Sequence, residues 1–253
     1  MRVLPLLLTF ALSACSTINN DNSMNSAEQG FSINNLNTEQ IVLVITEDES
    51  AIAGQLTTFE KKDSHWVQQS ESHPIVVGRT GIAWGLGLHP PQEGYHKQEG
   101  DGKAPAGIFK LSSAFGYLEE VTTKLSYQQM SENDFCIDVN GSELYNQTVD
   151  RTVVGEDAVK GSTEPMRRDI HKNENLYKKG IFVDHNPENI SGQGSCIFVH
   201  LWRSSEKPTA GCTAMPEPKI DALLAWLDER KNPVMVTLTQ AQYHKLKPEW
   251  DLP

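Results

Sequence analysis

The chain carries little positive charge and has no apolar run long enough to cross a membrane. Its 22 Lys and Arg residues are outnumbered by 33 Asp and Glu residues, so the formal net charge is −11. Because no basic patch is present to neutralise phosphates, we expect no nucleic-acid partner. The apolar run at residues 3–12 is shorter than the ~20 residues that a membrane-spanning helix needs.

Patterns that bind metals or phosphates are absent as well. The chain has no Cys-x-x-Cys and no His-Glu-x-x-His, the spacings with which these residues commonly bind zinc. Its glycine-rich segment at residues 99–109 lacks the Gly-Lys-Ser/Thr ending of a phosphate-binding loop. We therefore expect no metal and no other cofactor. Hydrophobic residues make up 38% and charged residues 22% of the chain, which fits a soluble globular protein.

The N-terminus is typical of a targeting segment. A positive start and the apolar run at residues 3–12 lead into Leu-Ser-Ala-Cys, which ends at Cys15. This ending resembles a bacterial lipobox, which implies a signal peptide over residues 1–14 and lipid attachment to Cys15. The alternative is an ordinary secretory signal with an incidental cysteine. Ser16 after the cysteine favours the outer membrane, so we expect a periplasmic, membrane-anchored lipoprotein.

Composition divides the rest of the chain into a tether, one folded domain and a tail. Residues 15–38 are rich in asparagine and serine and have few large apolar side chains, so we interpret them as a flexible tether. No internal repeat or boundary interrupts residues 39–240, and a polar tail follows at residues 241–253. Strand-like runs outnumber helix-like ones. This predicts a mainly β fold, with sandwich- or barrel-like mixed sheets and a few short helices.

Individual strands and helices follow from hydrophobic patterning. Residues 220–227 have apolar side chains at the i, i+3, i+4 and i+7 positions of an amphipathic helix, residues 115–130 are helix-compatible, and a short helix is possible at residues 164–171. The predicted strands are residues 41–45, 51–59, 65–68, 74–78, 135–139, 181–184, 196–199 and 233–238. The glycine-rich segment at residues 99–109 is interpreted as a fixed loop between strands.

The chain has four cysteines, and their number bears on their state. If Cys15 carries lipid, Cys136, Cys196 and Cys212 remain in an oxidising compartment, where an odd number leaves at least one thiol unpaired. A Cys136–Cys196 disulfide would leave Cys212 free. The alternative for Cys136 and Cys196 is two buried thiols.

Residues 195–215 concentrate the side chains that carry chemistry. A buried strand delivers His200 and Trp202, and a polar turn then leads to Gly211 and Cys212. A cysteine attacks as its thiolate, and a nearby imidazole is the usual means of forming one near neutral pH. This arrangement predicts an activated nucleophile, the alternative being a buried structural thiol. The histidines at positions 89, 96, 171 and 185 are interpreted as surface or loop residues, and His89 is the one most expected to line a cleft.

Two separated segments resemble the signatures of one enzyme family. The run from Gly100 to Phe109 is similar to Gly-Asp-x-x-Thr-Pro-x-Gly-x-Phe/Tyr, and His200 followed by Thr209-Ala-Gly-Cys212 is similar to His with a later Ser/Thr-x-Gly-Cys. Both belong to L,D-transpeptidase (YkuD-type) catalytic domains. The resemblance covers roughly residues 41–239 and implies that fold, with peptidoglycan stem peptides as the substrate.

The resemblance also implies a mechanism. The Cys212 thiolate attacks a stem-peptide carbonyl, a thioester forms, and an amine or water resolves it. His200 is the implied general base, oriented by a backbone carbonyl or by Asp184, and the backbone N–H groups of Gly211 and Cys212 are the expected oxyanion donors. Resolution by water makes the protein an L,D-carboxypeptidase or endopeptidase. A second alternative is a non-catalytic peptidoglycan-binding lipoprotein.

This chain departs from the common family pattern after the nucleophile. Familiar members read Ser-His-Gly-Cys-Ile-Arg, and neither that second histidine nor that arginine is present here. An arginine commonly holds a substrate carboxylate. We expect Arg203 and Trp202 to contact the substrate, with Arg79 or Lys103 as other candidates for the missing cation.

Overall fold

Strands dominate the part of the chain that the structure, a computed structural model, describes, which is Met1 and residues 30–253. Cys15 and nearly all of the predicted signal peptide lie outside the described residues, so their predictions stay open. The strands are β1 (Gln40–Thr46), β2 (Ala53–Lys62), β3 (His65–Gln68), β4 (His73–Val76), β5 (Ile82–Trp84), β6 (Ala104–Gly116), β7 (Tyr127–Gln129), β8 (Asp134–Cys136), β9 (Thr148–Asp150), β10 (Glu164–Pro165), β11 (Lys179–Val183), β12 (Phe198–Leu201), β13 (Thr213–Met215) and β14 (Val234–Thr239).

Eight of these strands close into a barrel. β1 pairs in parallel with β14 and antiparallel with β2, and this double pairing closes the order β1-β14-β6-β11-β12-β13-β4-β2. β3, β5 and β7 extend the barrel sheet at its sides, whereas β8, β9 and β10 form a separate three-stranded sheet. The prediction of a mainly β fold with barrel-like sheets is confirmed.

The helices are few and mostly short, as predicted. They are α1 (Arg151–Val154), α2 (Arg168–His171), α3 (Glu217–Trp226) and α4 (Gln240–Trp250), with short 3-10 turns at Ile33–Leu36, Glu156–Val159 and Glu229–Lys231. In α3 the side chains of Ile220, Leu223 and Leu224 are buried. Apolar residues at helical spacing cover one side of a surface helix, so the amphipathic prediction for α3 is confirmed.

The helix-compatible segment at residues 115–130 is not a helix. Its first residues complete β6, and Tyr127–Gln129 form β7, which pairs in parallel with β6. The end of β6 is paired with β11 on one side and with β7 on the other, and this pairing outweighs the weak helical preference of these residues. β6 also begins at Ala104, which makes the second half of the predicted glycine-rich loop a barrel strand.

Both ends of the described domain extend beyond the predicted boundaries. The predicted tail contains α4, which begins at a capping box formed by Thr239 and Gln242. Trp250, at the end of this helix, is completely buried, and Phe31 packs edge-on against it with ring centroids 5.4 Å apart. Phe31–Pro253 therefore form one compact unit, and the last residues of the predicted tether belong to it. The sequence missed this because the anchoring aromatic residues are isolated among polar ones.

Two histidines that were interpreted as surface or loop residues are buried. The Ile108 N–H donates to His89 Nδ1 at 3.0 Å, and the imidazole packs against the rings of Phe109 and Trp250. A Cβ on Gly107 would lie 2.0 Å from this ring, and its φ of 130° is one that L residues rarely adopt. His185 is also buried, and burial lowers the pKa of both rings to about 4. These histidines are neutral parts of the core.

Candidate active site

The two predicted catalytic side chains sit on neighbouring parallel strands. β12 and β13 pair with Val199 opposite Thr213 and His200 opposite Ala214, so Cys212 directly precedes β13 opposite Phe198. Side chains alternate between the faces of a sheet, and paired residues share a face. Cys212 and His200 therefore point to the same side, and both line one cavity of about 310 Å³.

The Cys212 thiol is buried and forms hydrogen bonds with the backbone at the start of β12. The Phe198 N–H donates to Sγ at 3.3 Å, and the S–H donates to the Cys196 carbonyl oxygen at 3.5 Å. Burial and, to a lesser degree, the charge of Glu164 raise the pKa of this thiol to about 12. The Phe198 N–H and the cation of Lys97 act in the opposite direction. The thiol is therefore protonated in the free protein.

His200 is held in one tautomer by its own strand. Its Nδ1–H donates to the Leu201 carbonyl oxygen at 2.8 Å, and a carbonyl can only accept, so Nε2 is the unprotonated nitrogen of the neutral ring. The Tyr177 ring stands edge-on to the imidazole with centroids 5.0 Å apart. Burial lowers the pKa of His200 to about 4. The orienting group is thus a backbone carbonyl and not Asp184, whose carboxylate accepts from Ser112 Oγ.

The turn before Cys212 is organised by Thr209. The Gly211 N–H donates to Thr209 Oγ1 at 3.1 Å, and that hydroxyl in turn donates to the Cys212 carbonyl oxygen at 2.6 Å. A Cβ on Gly211 would lie 3.0 Å from the Lys103 carbonyl oxygen, so this turn leaves little room for a side chain. Of the two expected oxyanion donors, the N–H of Gly211 is therefore already engaged in the free protein.

A ring of charged side chains forms another wall of the cavity. Glu164 accepts from Tyr177 Oη at 2.7 Å and from Arg168 Nη1 at 3.3 Å. Arg168 Nη2 also contacts Glu174 Oε2 at 2.7 Å. Tyr177 is buried, and burial together with the Glu164 carboxylate holds its pKa well above the usual range. These residues were not predicted from the sequence. The feature that could have indicated them is the charged segment at residues 150–179, whose predicted short helix overlaps α2.

The predicted substrate-binding residues differ in their placement. Arg203 lines the cavity, but its guanidinium is paired with Glu174, with Nη2 2.6 Å from Oε1. Trp202 follows β12 directly and is half-buried, and its side chain is not part of the cavity wall. The structure thus brings Arg203 to the site beside Cys212 and His200 and leaves Trp202 outside the wall.

Arg79 and Lys103, the other candidates for the missing cation, differ in whether they reach the cavity. Arg79 lines the cavity, and its Nη2 donates to the Gly100 carbonyl oxygen at 3.1 Å. Within residues 30–253 it has no carboxylate in ion-pair range. Lys103 lies outside the cavity wall, and its Nζ donates to the Thr80 carbonyl oxygen at 2.6 Å. Arg79 is therefore the cavity arginine whose charge is not matched by a described carboxylate.

A disulfide joins the three-stranded sheet to the strand that carries His200. Cys136, at the end of β8, is bonded to Cys196, two residues before β12. The alternative of two buried thiols is therefore wrong. Among the described residues Cys212 is the one free cysteine. Asn146 also contributes, because its Oδ1 accepts from the Cys196 N–H at 2.9 Å. The disulfide and this bond fix the segment whose carbonyl contacts the thiol.

Residues 30–253 contain neither a metal-ligand cluster nor a membrane-spanning helix. No group of three or more His, Cys, Asp or Glu side chains is placed there to hold a metal ion. No helix in residues 30–253 combines the length and apolar character needed to span a bilayer.

Comparison with solved structures finds a weak similarity. The helical cell shape determining protein Pgp2 from Campylobacter jejuni is 13% identical, with a TM-score of 0.37, over 80% of this chain and 48% of that one. A point mutant of the same protein gives 14% identity and a TM-score of 0.36, over 80% and 47%. The chain thus spans about half the length of that protein. No family model and no curated protein matches the sequence.

Proposed function

We propose that this protein is a cysteine-dependent peptidyltransferase that acts on peptidoglycan stem peptides, an L,D-transpeptidase. The observation that carries the proposal is the placement of a free thiol, Cys212, and a tautomer-fixed imidazole, His200, on one face of adjacent strands and in one cavity. A nucleophile beside an oriented base is the arrangement that acyl transfer requires. The two sequence motifs supply the substrate class.

The first half of the reaction forms a thioester. Cys212 Sγ attacks the carbonyl carbon of the L-centre at the third position of the stem, and a C–S bond forms as the carbonyl π pair moves to oxygen. His200 Nε2 takes the thiol proton. When the oxyanion collapses, the C–N bond breaks, and the same proton passes to the leaving amine of the terminal D-Ala.

The second half resolves the thioester. His200 takes a proton from the amine of a neighbouring stem, which attacks the same carbon, and the C–S bond then breaks to return the thiol. Water in place of the amine gives the hydrolytic alternative, an L,D-carboxypeptidase or endopeptidase. The two outcomes differ in whether an acceptor amine outcompetes water after the thioester has formed.

The experiment compares the full chain with its Cys212→Ala variant on disaccharide-tetrapeptide muropeptides, with products identified by mass spectrometry. The proposal predicts cross-linked dimers and released D-Ala for the unaltered protein and neither for the variant. Monomeric tripeptide without dimers would assign the hydrolase instead. Identical, unprocessed samples would reject both enzymes and leave the non-catalytic peptidoglycan-binding lipoprotein.

We also propose that the protein is held in the periplasm through a lipid on Cys15, facing its substrate. A disulfide between Cys136 and Cys196 is in keeping with an oxidising compartment. The mass of the mature N-terminal peptide tests this placement. A lipid adduct that disappears in the Cys15→Ser variant supports it, and an unmodified or uncleaved N-terminus contradicts it.

A further inference from the structure

Lys97 is a buried ammonium on the wall of the cavity that holds Cys212. Its side chain is 4% exposed, and Nζ lies 2.9 Å from Asp101 Oδ1, a carboxylate that is 9% exposed. Nζ also donates to the Gln98 carbonyl oxygen at 3.3 Å. An ammonium has three N–H donors, so one remains without an acceptor among the described residues. A buried ammonium with an unused N–H on a cavity wall is placed to bind a hydrogen-bond acceptor in that cavity.

Asp101 holds this ammonium from the glycine-rich signature. Its Oδ2 accepts from the Gln98 N–H at 2.8 Å, and its Oδ1 accepts from the Lys103 N–H at 2.9 Å as well as from Lys97. The carboxylate is thus fixed by the backbone on both sides of itself. Buried ion pairs are weak contributors to stability, because removing both charges from water offsets their attraction. Fold stability alone therefore explains this pair poorly.

Two glycines leave the space through which Lys97 reaches the cavity. A Cβ on Gly194 would lie 2.8 Å from Lys97 Cε, and a Cβ on Gly211 would lie 3.6 Å from Lys97 Nζ. The ammonium therefore sits against the backbone of the residue that precedes the nucleophile. A side chain on Gly194 would crowd the lysine, whereas a Cβ on Gly211 would be in ordinary van der Waals contact with the ammonium.

A positive charge at this position would favour any negative charge that develops on a substrate attacked by Cys212. Glu164, Arg168, Lys97 and Tyr177 interact electrostatically with the thiol, and the other charged or titratable side chains that line the cavity are His200, Arg79, Glu99, Asp138 and Arg203. Glu164 opposes a developing anion, and Arg168 is already bound to two carboxylates. The Gly211 N–H is engaged by Thr209. Lys97 is the group beside Gly211 that combines a positive charge with an unused N–H.

We propose that the Lys97 ammonium stabilises the negative charge that develops on the substrate carbonyl oxygen when Cys212 attacks, with Asp101 as the positioning residue that holds the ammonium. This inference rests on the proposed acyl transfer and names its oxyanion donor. The oxygen gains the π pair as the C–S bond forms and returns it as the C–N bond breaks. Lys97 keeps its proton throughout and donates a hydrogen bond from the N–H that is free at rest.

The test measures muropeptide turnover by the full chain and its Lys97→Met variant. Loss of one oxyanion donor lowers kcat by about 100-fold or more, and we expect KM to stay within about twofold, because the interaction strengthens only as the oxyanion forms. Lys97→Arg keeps the charge and is expected to retain part of the rate. Lys245→Met removes a charge from the exposed side of α4 and serves as the matched control, with unchanged kcat.

Folding and chemistry are separated by two further measurements. The double variant Lys97→Met/Asp101→Asn removes the buried pair without leaving one charge unpaired, so it keeps the test valid if the single variant unfolds. Alkylation of Cys212 by iodoacetamide across alkaline pH reports the thiol without turnover, and we expect the alkylation profile of the Lys97→Met variant to move to higher pH and that of Lys97→Arg to stay close to the profile of the unaltered protein.

The outcomes distinguish this inference from the function on which it rests. A raised KM with unchanged kcat would show that Lys97 binds a ground-state carboxylate, and an unchanged kcat with an unmoved alkylation profile would remove it from the chemistry; both overturn the inference while leaving the enzyme intact. Absence of turnover in the unaltered protein would instead reject the enzyme. The inference would then fall with it, whatever the alkylation profile.

Discussion

Cys212 and His200 are both neutral in the free protein. Burial holds the pKa of the Cys212 thiol at about 12 and that of the His200 imidazole at about 4. Many cysteine enzymes lower the thiol pKa with a cation or a helix N-terminus and keep a thiolate ready. In the reaction proposed above, the proton would instead leave sulfur as the C–S bond forms. The proposed reaction would therefore depend on groups that stabilise the oxyanion as well as on the base.

Arg79 and Arg203 differ in their ion pairing, so we expect their substitution to affect substrate binding differently. Arg203 is bound to Glu174, whereas Arg79 contacts a backbone carbonyl and has no carboxylate partner among the described residues. A substrate carboxylate gains more from the unmatched cation. We expect Arg79→Ala to raise KM about tenfold, because a charged hydrogen bond contributes roughly 1.5–3 kcal/mol and this guanidinium is partly exposed.

Steady-state kinetics on a stem tetrapeptide check this difference. Arg203→Ala is the matched variant, since it removes an arginine from the same cavity, and we expect a smaller change in KM. The reverse order, with the larger effect at Arg203, would restore the sequence-based assignment of Arg203 as the substrate-binding residue.

At the same scale, the sequence predicts the site only where its residues are close along the chain. His200 and Cys212 belong to two consecutive strands joined by one turn, so their pairing could be read from one stretch. Lys97, Glu164 and Tyr177 reach the cavity from segments whose placement depends on the folded barrel and on the Cys136–Cys196 disulfide. No local pattern marks such residues, because their roles arise from tertiary contacts.

At the scale of elements, α4 fastens the C-terminal part of the chain to the barrel. Trp250 is completely buried against Phe31, Trp84 and His89. We expect Trp250→Ala to lower the free energy of unfolding by about 3–5 kcal/mol through lost burial and a cavity. The indole Nε1–H is buried without a partner in the described residues, so Trp250→Phe removes an unsatisfied donor while keeping an aromatic ring.

Urea unfolding of the full chain measures both Trp250 variants. The phenylalanine variant is expected to lose clearly less stability than the alanine variant, since it retains most of the ring contacts. Equal losses would show that the indole itself is required, and a negligible loss for alanine would return this helix to the peripheral tail that the sequence predicts.

Elements were predictable where local pattern and tertiary pairing agree. β1, the β2–β3 hairpin, α3 and β14 were all anticipated, because each has a clear period and lies between turn residues. The wrong prediction at residues 115–130 has a physical cause: β6 continues to Gly116 because β11 and β7 pair with its last residues. Its last residues gain more from that pairing than from helical hydrogen bonds.

At the scale of the whole molecule, the cavity is lined by side chains from the barrel and from the segment that contains the three-stranded sheet. The barrel strands β12 and β13 present His200 and Cys212, whereas β10 and α2 bring Glu164 and Arg168 over them. The barrel also encloses neutral imidazoles at several points, because His89 and His185 are buried like His200. Burying a neutral imidazole makes the stability of the folded protein depend on pH.

Acid sensitivity follows from these three histidines. Each has a folded pKa of about 4 against about 6.5 when unfolded. Between these values the unfolded chain binds more protons, so stability is fully present above pH ~6.5 and is lost as the pH falls from there through ~4. Burial raises the pKa of Glu164 and Asp184. These two carboxyl groups therefore add stability as the pH falls and offset part of the loss caused by the histidines.

Urea unfolding across this window tests the argument on the full chain. We expect the free energy of unfolding to fall by up to about 2 kcal/mol per buried histidine between pH ~7 and ~4.5. His185→Gln removes one titrating group and should flatten the fall by about a third, whatever its effect at neutral pH. His65→Gln changes an exposed histidine and should leave the slope unaltered. A His185→Gln variant with the same slope as the unaltered protein would mean that this buried ring is protonated in the fold, which would contradict the neutral state assigned to the buried imidazoles.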